Sequence, residues 1–175
     1  SYATLAGLER RKGVEIDFVY NVSKELRFLG SYAFTDAKVV RDSQVRTDPT
    51  SPTNATPPQT VKRLEGFQVG SVPEHQWRLW SHYRFPAADG LLRTASIGLG
   101  VRYYGPAVPN TDNYRGTTVL DTSIVDLSLS RRIPVFGREI SATVRAQNLF
   151  DDRYYAATQL YGEPRTFVLE LRHSF

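Results

Sequence analysis

Hydrophobic residues recur at every second position over seven stretches of this chain, which is the period of a β-strand rather than of an α-helix. The fourth stretch shows the alternation clearly, with Ala95, Ile97, Leu99, Val101 and Tyr103 on one parity and Ser96, Gly98, Gly100 and Arg102 on the other. The pattern predicts seven strands, at 3–20, 24–41, 72–85, 93–105, 119–131, 138–149 and 164–175. No segment has a helical period, so the predicted fold class is all-β.

The links between the predicted strands alternate in length. Three of them are short (21–23, 86–92 and 132–137) and three are longer (42–71, 106–118 and 150–163). The longest, 42–71, is rich in Pro, Thr, Ser and Asn and predicts a flexible loop. Antiparallel membrane barrels have tight periplasmic turns and long outer loops. The alternation therefore predicts a portion of a transmembrane β-barrel, with Tyr83 and Phe85 at its inner interface and Tyr103 near its outer one.

An odd number of strands indicates a portion of a larger barrel. Unpaired backbone groups are costly in hydrocarbon, so a spanning sheet must close on itself. Single-chain bacterial barrels close with an even number of strands. We therefore expect residues 1–175 to be one segment of a longer barrel, without a domain that fills the lumen.

The composition is compatible with this interpretation and excludes several others. The 175 residues are 41% hydrophobic and 23% charged, an average that resembles a soluble protein because an apolar and a polar face cancel. The chain has no cysteine, which excludes disulfides and thiolate metal sites, and its net charge of +4 contains no long block of like charges. A nucleic-acid partner therefore has little support.

Candidate catalytic and metal-binding groups are sparse. The three histidines, His75, His82 and His173, fall on different predicted strands, and no nucleophile elbow, zinc-protease or nucleotide-binding motif is present. The carboxylates of Asp151 and Asp152 are adjacent and diverge, so a structural cap is favoured over a cation site. We predict no enzyme activity, no cofactor and no metal site. Charges on the polar parity, at Glu139, Arg145, Glu170 and Arg172, are expected to pair across neighbouring strands.

The last part of the chain carries two recognisable segments. They read Asn148-Leu149-Phe150-Asp151-Asp152-Arg153-Tyr154-Tyr155 and Tyr161-Gly162-Glu163-Pro164-Arg165-Thr166-Phe167, and a strand ending at Phe175 follows. This arrangement resembles the carboxyl end of TonB-dependent siderophore receptors, and segments 11–17, 31–37 and 72–80 are similar to further family motifs in family order. Glu74 and His173 depart from the family pattern. The resemblance gives a structural role to Asn148, Leu149, Phe150, Asp151, Tyr154, Tyr155, Gly162, Pro164 and Arg165.

The resemblance implies a 22-stranded barrel of the bacterial outer membrane with a plug domain in its lumen. Such receptors bind a ferric siderophore at the outer face and release it inward when the TonB complex acts on the plug. This chain would supply the last seven strands, in contact with outer-membrane lipid. Its final strand would carry the signal for the barrel assembly machinery, with residues Phe167, Leu169, Leu171 and Phe175.

Four residues near the predicted outer openings are candidate ligand contacts. Arg102 and Tyr104 share the inward parity, and Tyr114 and Arg115 follow in the next loop. Rigid aromatic rings and a cationic rim would suit an anionic chelate. Alternatives remain open at this stage: import of cobalamin, haem or a glycan, an enzyme on a small outer-membrane barrel, or a soluble β-sandwich binding module.

Overall fold

A computed structural model describes residues 7–42, 46–47, 61–62, 64–86, 90–109, 118–136, 138–157 and 160–173. Its strands are β1 (Gly7–Asn21), β2 (Leu26–Asp42), β3 (Arg46–Thr47), β4 (Val61–Lys62), β5 (His75–Arg84), β6 (Ala95–Tyr104), β7 (Thr122–Val135), β8 (Arg138–Gln147), β9 (Tyr155–Ala157), β10 (Leu160–Tyr161) and β11 (Thr166–His173). The helical content of these ranges is one short 3-10 turn, Gly90–Leu92. Nowhere in this described part is a helix both long enough and apolar enough to cross a membrane.

Seven long strands form one antiparallel sheet in the order β1-β2-β5-β6-β7-β8-β11. Each strand pairs with the next long strand along the chain, as in an up-and-down meander. The all-β class and the seven strands are therefore confirmed, and a β-sandwich is wrong because all seven lie in one sheet. The two short pairs, β3–β4 and β9–β10, lie in the links 42–71 and 150–163, for which no strand was predicted.

The hairpin between β7 and β8 is tighter than predicted. Strand β7 continues to Val135, so the expected turn over 132–137 is wrong and shrinks to two residues, 136 and 137. Phe136 has a positive φ of 49°, as two-residue hairpins require. Pro134 pairs with Glu139 beyond the point where β6 stops pairing with β7, and a proline is tolerated in a strand at such an edge.

Strand register sorts the side chains onto two unlike faces, because residues directly opposite one another share a face. Leu79, Val101 and Val125 form one such row. The apolar face consists of Ile16, Phe18, Tyr32, Trp77, Leu79, Ile97, Leu99, Val101, Val125, Leu127, Leu129, Val144, Phe167, Leu169 and Leu171. The polar face consists of Glu15, Asp17, Ser31, Arg78, His82, Ser96, Arg102, Asp126, Ser128, Ser130, Thr143, Arg145, Glu170 and Arg172.

The apolar face stays uncovered along the sheet. Leu129, for example, is 49% exposed and Leu169 is 66% exposed. An apolar surface that extends over seven strands marks a contact with lipid or another protein.

Part of the longest link packs against the end of β2 as a compact cluster. Leu64 and Val69 are buried against Ala37 and Val39, and Val72 packs on the same group. Backbone hydrogen bonds join Val39 N to the carbonyl of Phe67 (3.0 Å) and Val69 N to the carbonyl of Ala37 (2.9 Å). The expectation of a flexible loop throughout 42–71 is therefore wrong for 64–71, which adds to the edge of β2 above β5.

Candidate functional site

The polar face forms a groove at the end of the sheet from which the long links leave. Its volume is about 440 Å³. Strands β1, β2, β5 and β6 line it, through Glu15, Asp17, Ser31, Thr35, Gln76, Arg78, Arg102 and Tyr104. Both signs of charge are present, with carboxylates on β1 and guanidinium groups on β5 and β6. Such a groove offers several hydrogen-bond donors and acceptors to a polar ligand.

Arg102 is held on this wall by a two-pronged ion pair with Asp126 on the neighbouring strand. Its Nε donates to Oδ2 at 3.0 Å and its Nη2 donates to Oδ1 at 3.1 Å. The side chains are 32% and 18% exposed. Because the fork geometry satisfies both carboxylate oxygens, the guanidinium has one strongly preferred orientation. Tyr104 and Tyr154 also lie close enough to act on this guanidinium electrostatically.

The same carboxylate fastens the turn that follows β8. Asp126 Oδ1 accepts the backbone N–H of Asn148 at 3.0 Å. Asn148 is only 2% exposed, and its side-chain Nδ2 donates to the carbonyls of Asp152 (2.9 Å) and Glu163 (3.1 Å). Its Oδ1 accepts the N–H of Asp152 at 3.0 Å. One buried amide therefore joins the two recognisable segments of the sequence.

Backbone conformation explains why polar residues occupy this turn. Asn148 and Asp151 have positive φ angles of 51° and 59°, a region that Asn and Asp enter more readily than most residues. Asp151 Oδ1 accepts the N–H of Arg165 at 2.8 Å, which ties the turn to the start of β11. The expected structural cap is confirmed for the Asp151 carboxylate, whereas Asp152 takes part through its backbone N–H and carbonyl. The described residues contain no group of three or more acidic, histidine or cysteine side chains that could hold a metal ion.

Aromatic packing completes the turn. The ring of Tyr154 lies on Gly162 so closely that a Cβ at this glycine would overlap it. The N–H of Gly162 donates to the carbonyl of Tyr154 at 2.8 Å. A glycine is therefore required at this position by direct contact.

Two further tyrosines pair at the outer hairpin β9–β10. The rings of Tyr155 and Tyr161 stack with centroids 4.9 Å apart and an interplanar angle of 25°. The hydroxyl of Tyr155 donates to that of Tyr161 at 3.4 Å. This hydrogen bond raises the pKa of Tyr155 above its ordinary value. Tyr155 also meets Tyr104 and Thr122 in a small pocket beside the groove.

Two of the four predicted ligand residues come together on this wall, namely Arg102 and Tyr104. Tyr114 and Arg115 lie outside the described residues, as does Phe175 of the predicted assembly signal. Phe167, Leu169 and Leu171 lie on the exposed apolar face of the edge strand β11.

Sequence reasoning missed Asp126, although it fixes both Arg102 and the turn. The sequence feature that could have identified it is an acidic residue at a position that the alternation assigns to the polar face of β7.

The other members of the motif have lesser roles. Leu149 donates its N–H to the carbonyl of Val125 at 2.7 Å, and the carbonyl of Pro164 accepts the hydroxyl of Thr166 at 3.1 Å. Phe150 is 66% exposed. Leu149 thus continues the backbone pairing into the turn, and none of the three residues contributes a side chain to the groove.

The predicted charge pairing on the last strands is confirmed in part. Glu170 bonds to Arg145 on β8 at 2.9 Å and to Arg172 on its own strand at 2.8 Å. Glu139 instead contacts Arg132 at 3.5 Å. Most charged side chains of β8 and β11 therefore lie on the polar face, where they form these ion pairs.

The sequence profile of a family described as TonB dependent receptor-like, beta-barrel matches residues 1–149. The chain belongs to this family. The resemblance drawn from the motifs is confirmed, and the matched family and its named relatives are receptors and transporters rather than enzymes. Barrels of TonB-dependent receptors are outer-membrane structures.

Three comparisons show how much of the receptor this chain represents. The metal-pseudopaline receptor CntO of Pseudomonas aeruginosa is 27% identical over 175 residues, covering 97% of the chain and 21% of the receptor. The ferrichrome outer membrane transporter/phage receptor of Escherichia coli is 32% identical over 161 residues, covering 90% of the chain and 18% of the transporter. The chain spans about a fifth of the length of these relatives.

Among solved structures, the chain is similar to BauA, the ferric preacinetobactin receptor from Acinetobacter baumannii. The TM-score is 0.72 at 17% sequence identity, over 96% of the chain and 22% of the receptor. At this identity the likeness shows a shared fold, the wall of a TonB-dependent barrel.

Proposed function

We propose that residues 1–175 form the carboxyl-terminal seven strands of a 22-stranded outer-membrane barrel, and that the complete receptor imports a ferric siderophore. Energy would come from the TonB complex acting on a plug domain elsewhere in the receptor. The observation that carries the proposal is the division of one sheet into an exposed apolar face and a charged, grooved face. Lipid accounts for the first face and a ligand pathway for the second.

Sheet edges support the larger barrel. Among the described residues, β1 and β11 each pair with a single long strand, so each presents one unpaired row of backbone groups. Every such group costs several kcal/mol in hydrocarbon. Further strands from the same receptor would pair with both edges and close the sheet. Phe167, Leu169 and Leu171, with Phe175, would then serve as the assembly signal on the last strand.

Arg102 and Tyr104 are the proposed ligand contacts on this wall, and Tyr114 and Arg115 would join them from the outer loop. The ion pair with Asp126 holds the Arg102 guanidinium in place before a ligand arrives, which lowers the ordering cost of binding. Two similar proteins are a receptor for metal-pseudopaline and a transporter for ferrichrome, which favours a chelate over cobalamin, haem or a glycan.

Iron uptake tests this proposal. A strain that lacks the receptor would carry the full-length protein as wild type, Arg102→Gln or Arg145→Gln, the last being a polar-face control away from the groove. Uptake of radioactive iron would be measured for a panel of single siderophores. We expect one siderophore to be imported by the wild type, with reduced apparent affinity in Arg102→Gln and unchanged uptake in Arg145→Gln. No receptor-dependent uptake with any iron chelate would contradict the proposal.

Cell fractionation tests the location separately. The folded receptor should sediment with the outer membrane and migrate faster in electrophoresis before boiling than after it. Recovery in the soluble fraction would contradict a membrane-spanning sheet, whatever the ligand.

A second candidate follows from the similarity to CntO, which is a receptor for metal-pseudopaline, a name that does not specify iron. The ligand of this receptor would then be a chelate of another transition metal. Uptake assays with nickel, cobalt and zinc chelates in the same strains distinguish the two candidates, because only the loaded metal differs.

A further inference from the structure

A basic side chain lies on the apolar face of the sheet at Arg131. Arg131 pairs with Ala95 on β6 and with Ala142 on β8, so it shares a face with Leu129 and Ile133. A cation in the middle of a lipid-facing strand costs about 2–4 kcal/mol, but near the interface the cost falls to about 0–1 kcal/mol. The position of Arg131, close to the two-residue hairpin at 136–137, agrees with an interfacial site.

Arg131 has no ion-pair partner among the described residues, unlike Arg102 on the polar face. Its Nε is buried without a hydrogen-bond acceptor, the one such side-chain atom found among the described residues. Its neighbour Arg132 contacts Glu139 on the polar face, and Arg145 contacts Glu170. No carboxylate of the described part of the chain pairs with Arg131.

The cross-strand neighbours of Arg131 are small. The flanking residues Ala95 and Ala142 leave room for its aliphatic stem, and the terminal nitrogens are not among the buried atoms without a partner. A long cationic side chain at a membrane boundary lays its stem on apolar surface and extends its charge into the headgroups. Arg131 has the surroundings for this arrangement.

The same row contains Phe85, one ring of an aromatic pair typical of an interface. Phe85 donates its N–H to the carbonyl of Ala95 at 3.1 Å. Ala95 therefore lies between Phe85 on one side and Arg131 on the other. Phe85 contacts Tyr83 edge to face, with centroids 5.2 Å apart. Aromatic residues mark the headgroup level of membrane proteins. This level of the apolar face therefore carries an aromatic pair and a cation that has no carboxylate partner among the described residues.

A second cation lies on the apolar face at the hairpin itself. Arg138 pairs with Val135 and is exposed, and the fully exposed ring of Phe136 adjoins it at the tip. Arg138 is four residues from Ala142 along β8, about 13 Å at the rise of an extended strand. The distance between the two arginines along the strand direction is therefore similar to the thickness of one headgroup layer.

We propose that Arg131 and Arg138 form a binding site for the phosphate of an anionic phospholipid in the inner leaflet of the outer membrane. The proposal rests on the proposed function, which puts the short turns on the periplasmic side. Guanidinium groups bind phosphate through two parallel hydrogen bonds, and no carboxylate within the described ranges pairs with either arginine. Phe136 and Phe85 would contact the acyl chains beside the bound headgroup.

Native mass spectrometry of the full-length receptor tests this site. The purified receptor in detergent would be titrated with phosphatidylglycerol, and separately with phosphatidylcholine of the same acyl chains. The variants are Arg131→Gln, Arg138→Gln, the charge-conserving Arg131→Lys, and Arg132→Gln as the matched control on the polar face. Each is first checked for outer-membrane recovery and for the mobility change on boiling.

We expect the wild type to retain phosphatidylglycerol in preference to phosphatidylcholine. Arg131→Gln should reduce retention about fivefold, the effect of removing one cation near an anionic headgroup, and Arg131→Lys should restore most of it. Arg132→Gln should leave retention unchanged. Equal retention of the two lipids, or equal loss in Arg131→Gln and Arg132→Gln, would overturn the lipid site while leaving the receptor assignment intact. Failure of the wild type to reach the outer membrane would overturn both.

Discussion

The indole of Trp80 lies flat against the backbone of strand β6 at Gly98. A Cβ at Gly98 would come within 2.5 Å of the indole Cζ2 and 3.0 Å of Cε2, and a Cβ at Gly100 would overlap the other edge of the ring. Gly98 and Gly100, two alternate positions on the polar face of β6, therefore leave the space that the indole of the neighbouring strand occupies. An aromatic side chain over a cross-strand glycine supplies the packing that the glycine lacks.

Replacing Gly98 with valine should destabilise the barrel because the new side chain displaces the indole. Overpacking of this kind costs about 1–3 kcal/mol. Thermal unfolding of the full-length receptor, followed by its mobility before and after heating, would measure the change. In a Trp80→Ala background the same substitution should be neutral or stabilising, since valine favours strands more than glycine. Equal losses in the two backgrounds would contradict the contact.

Strand parity alone predicted the seven strands and their two faces. Seven stretches of alternating residues leave no other regular solution, because a shift by one residue would turn every apolar side chain to the wrong face. The end of β7 was missed, because the predicted strand stopped at residue 131 whereas β7 continues through Pro134 to Val135. That proline is accommodated because β6 no longer pairs with the strand at this point.

The contents of the site were predicted less completely. Parity put Arg102 and Tyr104 on one face, but the partner of Arg102 depends on the register between β6 and β7. Asp126 is directly opposite Gly100, and Arg102, two residues further along β6, reaches the Asp126 carboxylate diagonally. The alternation of apolar and polar residues within one strand does not predict its register against the next strand. The packing of 64–71 on Ala37 and Val39 was likewise hidden, because its residues carry no alternation of their own.

Asp126→Ala should weaken both the fold and ligand binding. The substitution removes two charged hydrogen bonds to Arg102 and the acceptor for Asn148, and a hydrogen bond to a charged group contributes about 1.5–3 kcal/mol. The freed guanidinium would also lose its orientation in the groove. Thermal unfolding and a ligand titration on the full-length receptor would report the two effects.

The matched control for Asp126 is Glu139→Ala, which breaks the contact with Arg132. The side chains of that pair are 56% and 64% exposed, and exposed pairs contribute about 0–1 kcal/mol. We therefore expect little change in stability and none in ligand affinity. If the two alanine variants behaved alike, the anchoring role of Asp126 would have to be abandoned.

Ionisation of Tyr155 should occur at a higher pH than that of an ordinary tyrosine. The hydrogen bond to Tyr161 favours the protonated phenol, so the pKa of Tyr155 is raised. A raised pKa means that the folded state holds its proton more tightly than the unfolded state. The resulting stabilisation is complete below the unfolded value of about 10 and is lost as the pH rises through the folded value.

Ultraviolet difference titration of the receptor against its Tyr155→Phe variant isolates this phenol. Tyr161→Phe should move the transition back toward ordinary tyrosine, with the stacked ring still present as an internal control. A transition that stayed in place after Tyr161→Phe would show that the hydroxyl contact has no part in the shift.

Adjacent residues of β8 offer the sharpest test of which face meets lipid. Val144 pairs with Leu129 and Leu169 on the apolar face, whereas Thr143 is opposite Glu170 on the polar face. Arginine at a lipid-facing position near the bilayer centre costs about 2–4 kcal/mol, so Val144→Arg should reduce the folded receptor recovered from outer membranes. Thr143→Arg adds the same side chain one residue away, beside a carboxylate, and should be tolerated. Quantitative immunoblots of unboiled membranes compare the two variants. The opposite order of recovery would mean that the faces are assigned the wrong way round, because chain position, charge and side-chain size are matched.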